Sequence, residues 1–181
     1  MDTDATLMER SLCGRPDAFV EIVRRHERAV HAYLARRSGR EAADDLLAEV
    51  WLRAFSSRTT FDTQQFTALP WLYGIARNVL RAHWRAAAGD GPPPEPVIDP
   101  WDEVAERLDS QAQARSLVPA LKALPEVERE VLLLVAWEQL TPAEAAEALG
   151  IPQGTARSRL HRARLALRLA LDREEDEWLR N

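Results

Sequence analysis

Between Gly154 and Arg168 the chain carries five arginines and no acidic residue. A guanidinium is planar and always charged, so it can bridge the two acceptors of a guanine edge or hold a phosphate oxygen. Gln153, Thr155, Ser158 and His161 stand among Arg157, Arg159 and Arg162, adding amide, hydroxyl and imidazole groups that can meet other base edges. These residue types in this density point to duplex nucleic acid. A second basic series, Arg77, Arg81 and Arg85, repeats every four residues beside Asn78, which puts the three charges on one helical face. A third constellation is acidic: Asp45 and Glu49 lie one helical turn apart and, with Asp44, face water on a predicted helix.

Covalent chemistry finds little support. His26, His31, His83 and His161 lie in helical, arginine-rich surroundings. None is placed in a metal-ligand spacing or beside an evident carboxylate, so surface histidines are expected. No glycine-rich phosphate loop or nucleophile elbow occurs. The sequence therefore predicts no catalytic residue, no metal, no cofactor and no small-molecule substrate. Cys13 is the only cysteine; it cannot form an internal disulfide, which fits a reducing cytoplasm, and of an inert buried thiol and a redox sensor the inert thiol is the reading favoured. No run approaches the ~18–20 apolar residues of a membrane span, and MDTDATLMER has no signal-peptide pattern. No membrane insertion is expected.

The net charge of −5 conflicts with DNA binding only until it is divided along the chain. Residues 1–88 hold 13 basic and 11 acidic groups, residues 89–116 hold 2 and 7, residues 117–171 hold 7 and 6, and residues 172–181 hold 2 and 5. Acid is concentrated in a connector and a tail. Screening removes distant charge beyond ~10 Å at ordinary salt, so phosphate responds to the local basic run.

These side chains need rigid carriers, and the pattern supplies helices. Gly89 to Trp101 contains five of the eleven prolines and reads as a flexible linker. Either side of it, apolar residues recur with helical spacing and no period-2 strand is found. Phe19, Ile22, Val23, Val30 and Leu34 give one face over Ala18–Arg37. Leu46, Leu47, Val50, Trp51 and Ala54 give a second over Ala42–Phe55. Leu72, Ile75, Ala76, Val79 and Leu80 give a third after Pro70. Beyond the linker, helices are predicted over Ser116–Leu124 and from Pro125 to near Gln139. Thr141-Pro-Ala-Glu144 has the form of a capping box, Gly150 ends a short helix, and a basic helix runs from Pro152 to Leu171. Short helix, glycine turn and long basic helix make a helix-turn-helix. The expected fold is all-α: two small bundles, residues 1–88 and 115–171, with an acidic proline-rich linker at 89–114 and an acidic tail at 172–181.

ALPEVEREVLLLVAWEQLTPAEAAEALGIPQGTARSRLHRARLALR, from Ala123, resembles the promoter −35-binding region 4 of bacterial extracytoplasmic-function sigma factors, of an actinobacterial type. DDLLAEVWLRAF, from Asp44, resembles the sigma segment that docks on the polymerase clamp, and PWLYGIARNVLRAHWR, from Pro70, resembles the −10 recognition and melting segment of region 2. The likeness covers residues 15–88 and 115–170. It implies that Gln153, Thr155, Arg157, Ser158, Arg159, His161 and Arg162 meet −35 DNA. It implies that Trp71, Arg77, Asn78, Arg81 and Arg85 serve the −10 element, with the loop Ser57–Gln65 helping to capture a flipped base. Asp45, Leu46, Glu49 and Trp51 would meet polymerase. Trp71 can equally be core, and Trp84 is read as packing. Ala48 departs from the family's frequent glutamine, and Pro70, Gly74 and Pro152 are less usual at their positions.

The implied partners are core RNA polymerase through its clamp and flap regions, promoter DNA and an anti-sigma protein as regulator. The implied function is promoter-specific initiation. The alternative is a stand-alone helix-turn-helix regulator, which usually needs a dimer surface and a ligand or receiver domain; neither is evident in the sequence.

Overall fold

The structure, a computed structural model, describes residues 2–88 and 111–178, with side chains described over 2–88 and 117–172. The chain divides into two compact units, residues 1–98 and 99–181. The expected linker lies mostly outside the described residues. Among the described residues every regular element is helical, and no helix is long and apolar enough to cross a membrane.

Unit one contains α1 (Asp4–Leu12), α2 (Ala18–Ser38), α3 (Arg40–Ser56) and α4 (Leu69–Ala88), with a 3-10 turn at Arg58–Thr60. The three expected apolar faces converge on one core. Ile22, Val30 and Leu34 of α2, Val50 and Ala54 of α3, and Leu72, Ala76 and Val79 of α4 are fully buried. Each such Leu- or Val-sized side chain contributes ~1.5–3 kcal/mol. Tyr33 and Tyr73 stack with centroids 4.9 Å apart between α2 and α4. Gly39, at φ +86, separates α2 from α3. A side chain rarely adopts that backbone, so the break falls where glycine stands.

Helix α1 is not foreseen by the sequence pattern. Nine residues are too few to hold a helix by local propensity, and its apolar anchors are few: Leu7 and Met8, both buried. Thr3 caps it by accepting the Thr6 amide.

Unit two contains α5 (Gln111–Ala123), α6 (Glu126–Ala136), α7 (Pro142–Leu149) and α8 (Gln153–Trp178). Leu121, Leu124, Val131, Leu132, Ala146, Ala156, Leu160 and Ala163 form its core, with Leu149 and Ile151 packed against it. The capping box forms: the Thr141 amide donates to Glu144 Oε2 at 2.7 Å, and the Glu144 amide donates to Thr141 Oγ1 at 3.2 Å. Gly150 takes the left-handed conformation at φ +63, and the Ile151 amide closes onto the Ala146 carbonyl at 3.0 Å. α5 begins five residues ahead of the expected start. α8 continues to Trp178 rather than stopping at Leu171, so the first part of the acidic tail prolongs the helix.

Candidate nucleic-acid interface

Helix α8 turns one side into the core and the other to solvent. Ala156, Leu160 and Ala163 are buried, and each inward position is followed by outward ones. Gln153, Arg157, Ser158, His161 and Arg162 are exposed, while Thr155 and Arg159 are half-buried at the edge of the face. Two of these seven are partly engaged within the chain. Ser158 Oγ donates to the Thr155 carbonyl at 3.0 Å. Arg162 Nε donates to Glu128 Oε1 of α6 at 2.6 Å, from a guanidinium that is 57% exposed to a carboxylate that is 12% exposed. The pair, 34 residues apart in sequence, joins the two helices and leaves the outer guanidinium nitrogens to solvent. Arg164 and Arg168, in the acid-free run but not among the expected contacts, are also exposed.

The basic side of α4 is arranged the same way. Asn78, Arg81 and Arg85 are exposed, and Arg77 is half-buried with an interaction of its own. Arg85 Nε donates to the Arg81 carbonyl at 3.2 Å, lying back along its own helix. Trp71 is half-buried. Its ring meets Phe61 edge-on at 5.7 Å and its indole N–H donates to Thr60 Oγ1 at 3.2 Å, so it ties the preceding loop to α4. Residues 63–88 contain no acid. Phe66, at 86% exposure, projects from the loop just before α4. The sequence reading does not single it out, because a lone loop phenylalanine has no periodic context to mark it.

On α3 the expected contact set separates. Asp45 is exposed, and Glu49 is half-exposed and paired with Arg53. Leu46, expected to touch a partner, is buried at 5% exposure. It follows the i, i+3, i+4 stripe into the bundle, and its side chain is core. Trp51 is half-buried, edge-on to Phe19 at 6.3 Å. Leu52, not singled out, is 71% exposed and shares the outer face with Asp45, Ala48 and Glu49 by helical spacing.

Two histidines correct the sequence reading. His26 is not a surface residue. Its side chain is 13% exposed, and Nε2 lies 2.6 Å from Asp4 Oδ2. His31 Nε2 lies 2.9 Å from Asp44 Oδ1. Their carboxylate partners are 22 and 13 residues away, too far for spacing to expose them. Cys13 is exposed at the end of α1, not buried.

Comparison with known proteins agrees with this geometry. Residues 22–89 match the family described as Sigma-70 region 2, and residues 114–167 match Sigma-70, region 4. The chain is similar to the ECF RNA polymerase sigma factor SigM of Mycobacterium tuberculosis, 32% identical over 91% of this chain and 83% of the relative. It is also similar to the ECF RNA polymerase sigma factor SigF of Caulobacter vibrioides, 34% identical over 89% of each. Among solved structures it is similar to CnrH in complex with the cytosolic domain of CnrY, with a TM-score of 0.63, 25% identity and coverage of 94% of this chain and 98% of that one. Two sigma regions in order, each with an exposed basic helix, do not fit a stand-alone regulator. The chain belongs to the extracytoplasmic-function sigma factors, which bind core RNA polymerase and promoter DNA and direct promoter-specific transcription initiation.

Proposed function

We propose that the two units divide promoter reading between them, α8 entering the major groove of the −35 element and α4 with its preceding loop holding the opened −10 strand. The observation that carries this reading is the outer face of α8. It is an acid-free array of arginines set over a helix-turn-helix core, with a width and charge suited to the major groove. On α4, Arg81 and Arg85 would hold phosphates, while Asn78 and the loop would take an unstacked base, at a cost of a few kcal/mol. The outer face of α3, with Asp45, Glu49 and the exposed Leu52, would meet the polymerase clamp. A polar rim around an apolar centre is the usual anatomy of such a contact.

On this reading the chain performs no covalent step of its own and works in the cytoplasm, where polymerase and promoter lie. An anti-sigma protein that covers the α3 or α8 face would be its regulator. Sigma factor RpoE was solved with the anti-sigma factor NepR from Bartonella quintana, and its fold is similar.

The test is run-off transcription with purified core polymerase. Arg157→Ala with Arg159→Ala should remove −35-dependent initiation while sparing polymerase binding. Asp45→Arg with Glu49→Arg should remove polymerase binding. If the α8 double variant initiates normally from a −35-dependent promoter, the assignment of α8 is wrong.

A further inference from the structure

Asp4, the first residue of α1, is 5% exposed and gathers groups from two other parts of unit one. Its Oδ1 accepts from Arg25 Nη1 at 3.1 Å, and its Oδ2 lies 2.6 Å from His26 Nε2, both on α2. The same Oδ2 accepts the backbone amide of Ala68 at 2.9 Å and the hydroxyl of Thr67 at 3.3 Å. Thr67 Oγ1 in turn accepts the Leu69 amide at 3.3 Å. These last partners form the entrance to α4.

At that entrance the local chain offers one side-chain acceptor, Thr67 Oγ1 on the Leu69 amide, and no negative charge. Helix N-termini leave amide donors unpaired and favour a nearby negative charge. Ala68, whose carbonyl accepts the first helical bond from Leu72, has no side-chain acceptor, and the first turn of α4 contains no acid. Asp4 supplies the missing carboxylate from 64 residues away. Charge-assisted bonds of this kind are short and directional, so they fix the backbone between Phe66, which projects from the loop, and Trp71 in the first turn of the basic helix. Leu7 and Met8, both buried, anchor α1 in unit one. α1 precedes residues 22–89, the stretch that matches the family's region 2.

We propose that Asp4 is a positioning residue for −10 recognition. Through its carboxylate the N-terminal helix sets the loop and first turn of α4 against which the opened strand is read. This rests on α4 being the −10 element. The arrangement makes α1 a structural part of the promoter-reading surface, although it touches no base itself. Displacing α1 should blunt −10 reading without touching the outer face of α3.

The experiment uses the full chain with core polymerase, comparing wild type with Asp4→Asn, Thr67→Val and Val30→Ala. Val30 is fully buried on α2, so Val30→Ala controls for plain destabilisation. Readouts are polymerase affinity, permanganate reactivity of −10 thymines, and the ratio of initiation at matched against −10-mismatched promoters. Asp4→Asn is expected to lower that ratio about tenfold, the order of effect of one mismatched position, with polymerase affinity within about twofold. Thr67→Val should lower it in the same direction, and it decides the matter if Asp4→Asn does not accumulate folded. The proposal is overturned if both variants keep the wild-type ratio, or if Val30→Ala lowers it equally. Wild-type initiation in the same reactions tests the −10 assignment separately: if −10 substitutions have no effect on wild type, that assignment fails first.

Discussion

Replacing Asp4 with asparagine should destabilise unit one by an amount that depends on pH in a calculable way. Burial by itself would raise the pKa of this carboxyl. The bond with His26, the Ala68 amide, the charge of His26 and the bond from Arg25 outweigh burial and lower it from 3.8 to about 2. A lowered folded-state pKa means the contribution is complete above the unfolded value and is lost as pH falls through the folded one. A carboxyl held that far below its ordinary value contributes roughly 2–3 kcal/mol at pH 7. By the same linkage about half of it remains near pH 3, and almost none near pH 1. Asparagine keeps the shape but carries no charge, and its NH2 group adds a donor where Arg25, Thr67 and Ala68 already donate. Arg25 also binds Glu21 at 3.3 Å and the Asp2 carbonyl at 2.7 Å, so it stays in place in the variant. Urea unfolding followed by hydrogen exchange of peptides from α2 and α4 would report unit one within the whole chain. Wild type should exceed Asp4→Asn by about 2–3 kcal/mol at pH 7, with the gap narrowing to about half near pH 3. Other carboxylates titrate alike in both proteins and cancel in the gap. A gap that stays constant from pH 7 to pH 3, or one below about 1 kcal/mol at pH 7, would refute the reasoning.

Two further substitutions probe unit two. A Cβ added at Gly150 meets nothing within 4 Å, so Gly150→Ala should cost only the left-handed backbone strain at φ +63, about 1 kcal/mol. Thermal unfolding of unit two checks this, and a loss above about 3 kcal/mol would mean that the turn carries more than strain. Glu128→Gln removes the carboxylate that holds Arg162 and should let that arginine engage phosphate more fully. The slope of log affinity for −35 DNA against log salt should steepen by up to about 0.9. An unchanged or shallower slope, measured by anisotropy across a salt series, would show that Glu128 presents Arg162 to DNA instead of diverting it.

Much of unit two was legible because its determinants are local. Thr141 and Glu144 are three residues apart, Gly150 follows immediately, and the apolar stripe of α8 repeats within one helix, so spacing alone reveals cap, turn and faces. The α2, α3 and α4 stripes were legible for the same reason. Leu46 and Leu52 show where this stops. Spacing already puts Leu46 on the apolar face, where the structure finds it buried, but it does not reveal that Leu52, off that stripe, stands 71% exposed beside Asp45 and Glu49.

Sequence alone therefore determined the helical fold class, the break into two units and the acid-free basic run, since each follows from periodicity, proline content or charge within a short window. Only the tertiary structure decided that Arg162 is held by Glu128 and that His26 is buried against Asp4. It also showed that the entrance of α4 is capped from the first helix of the chain. Those contacts join residues 34, 22 and 64 positions apart. No local pattern records a meeting at such distances, because it exists only once the apolar faces have packed and brought the polar groups into range.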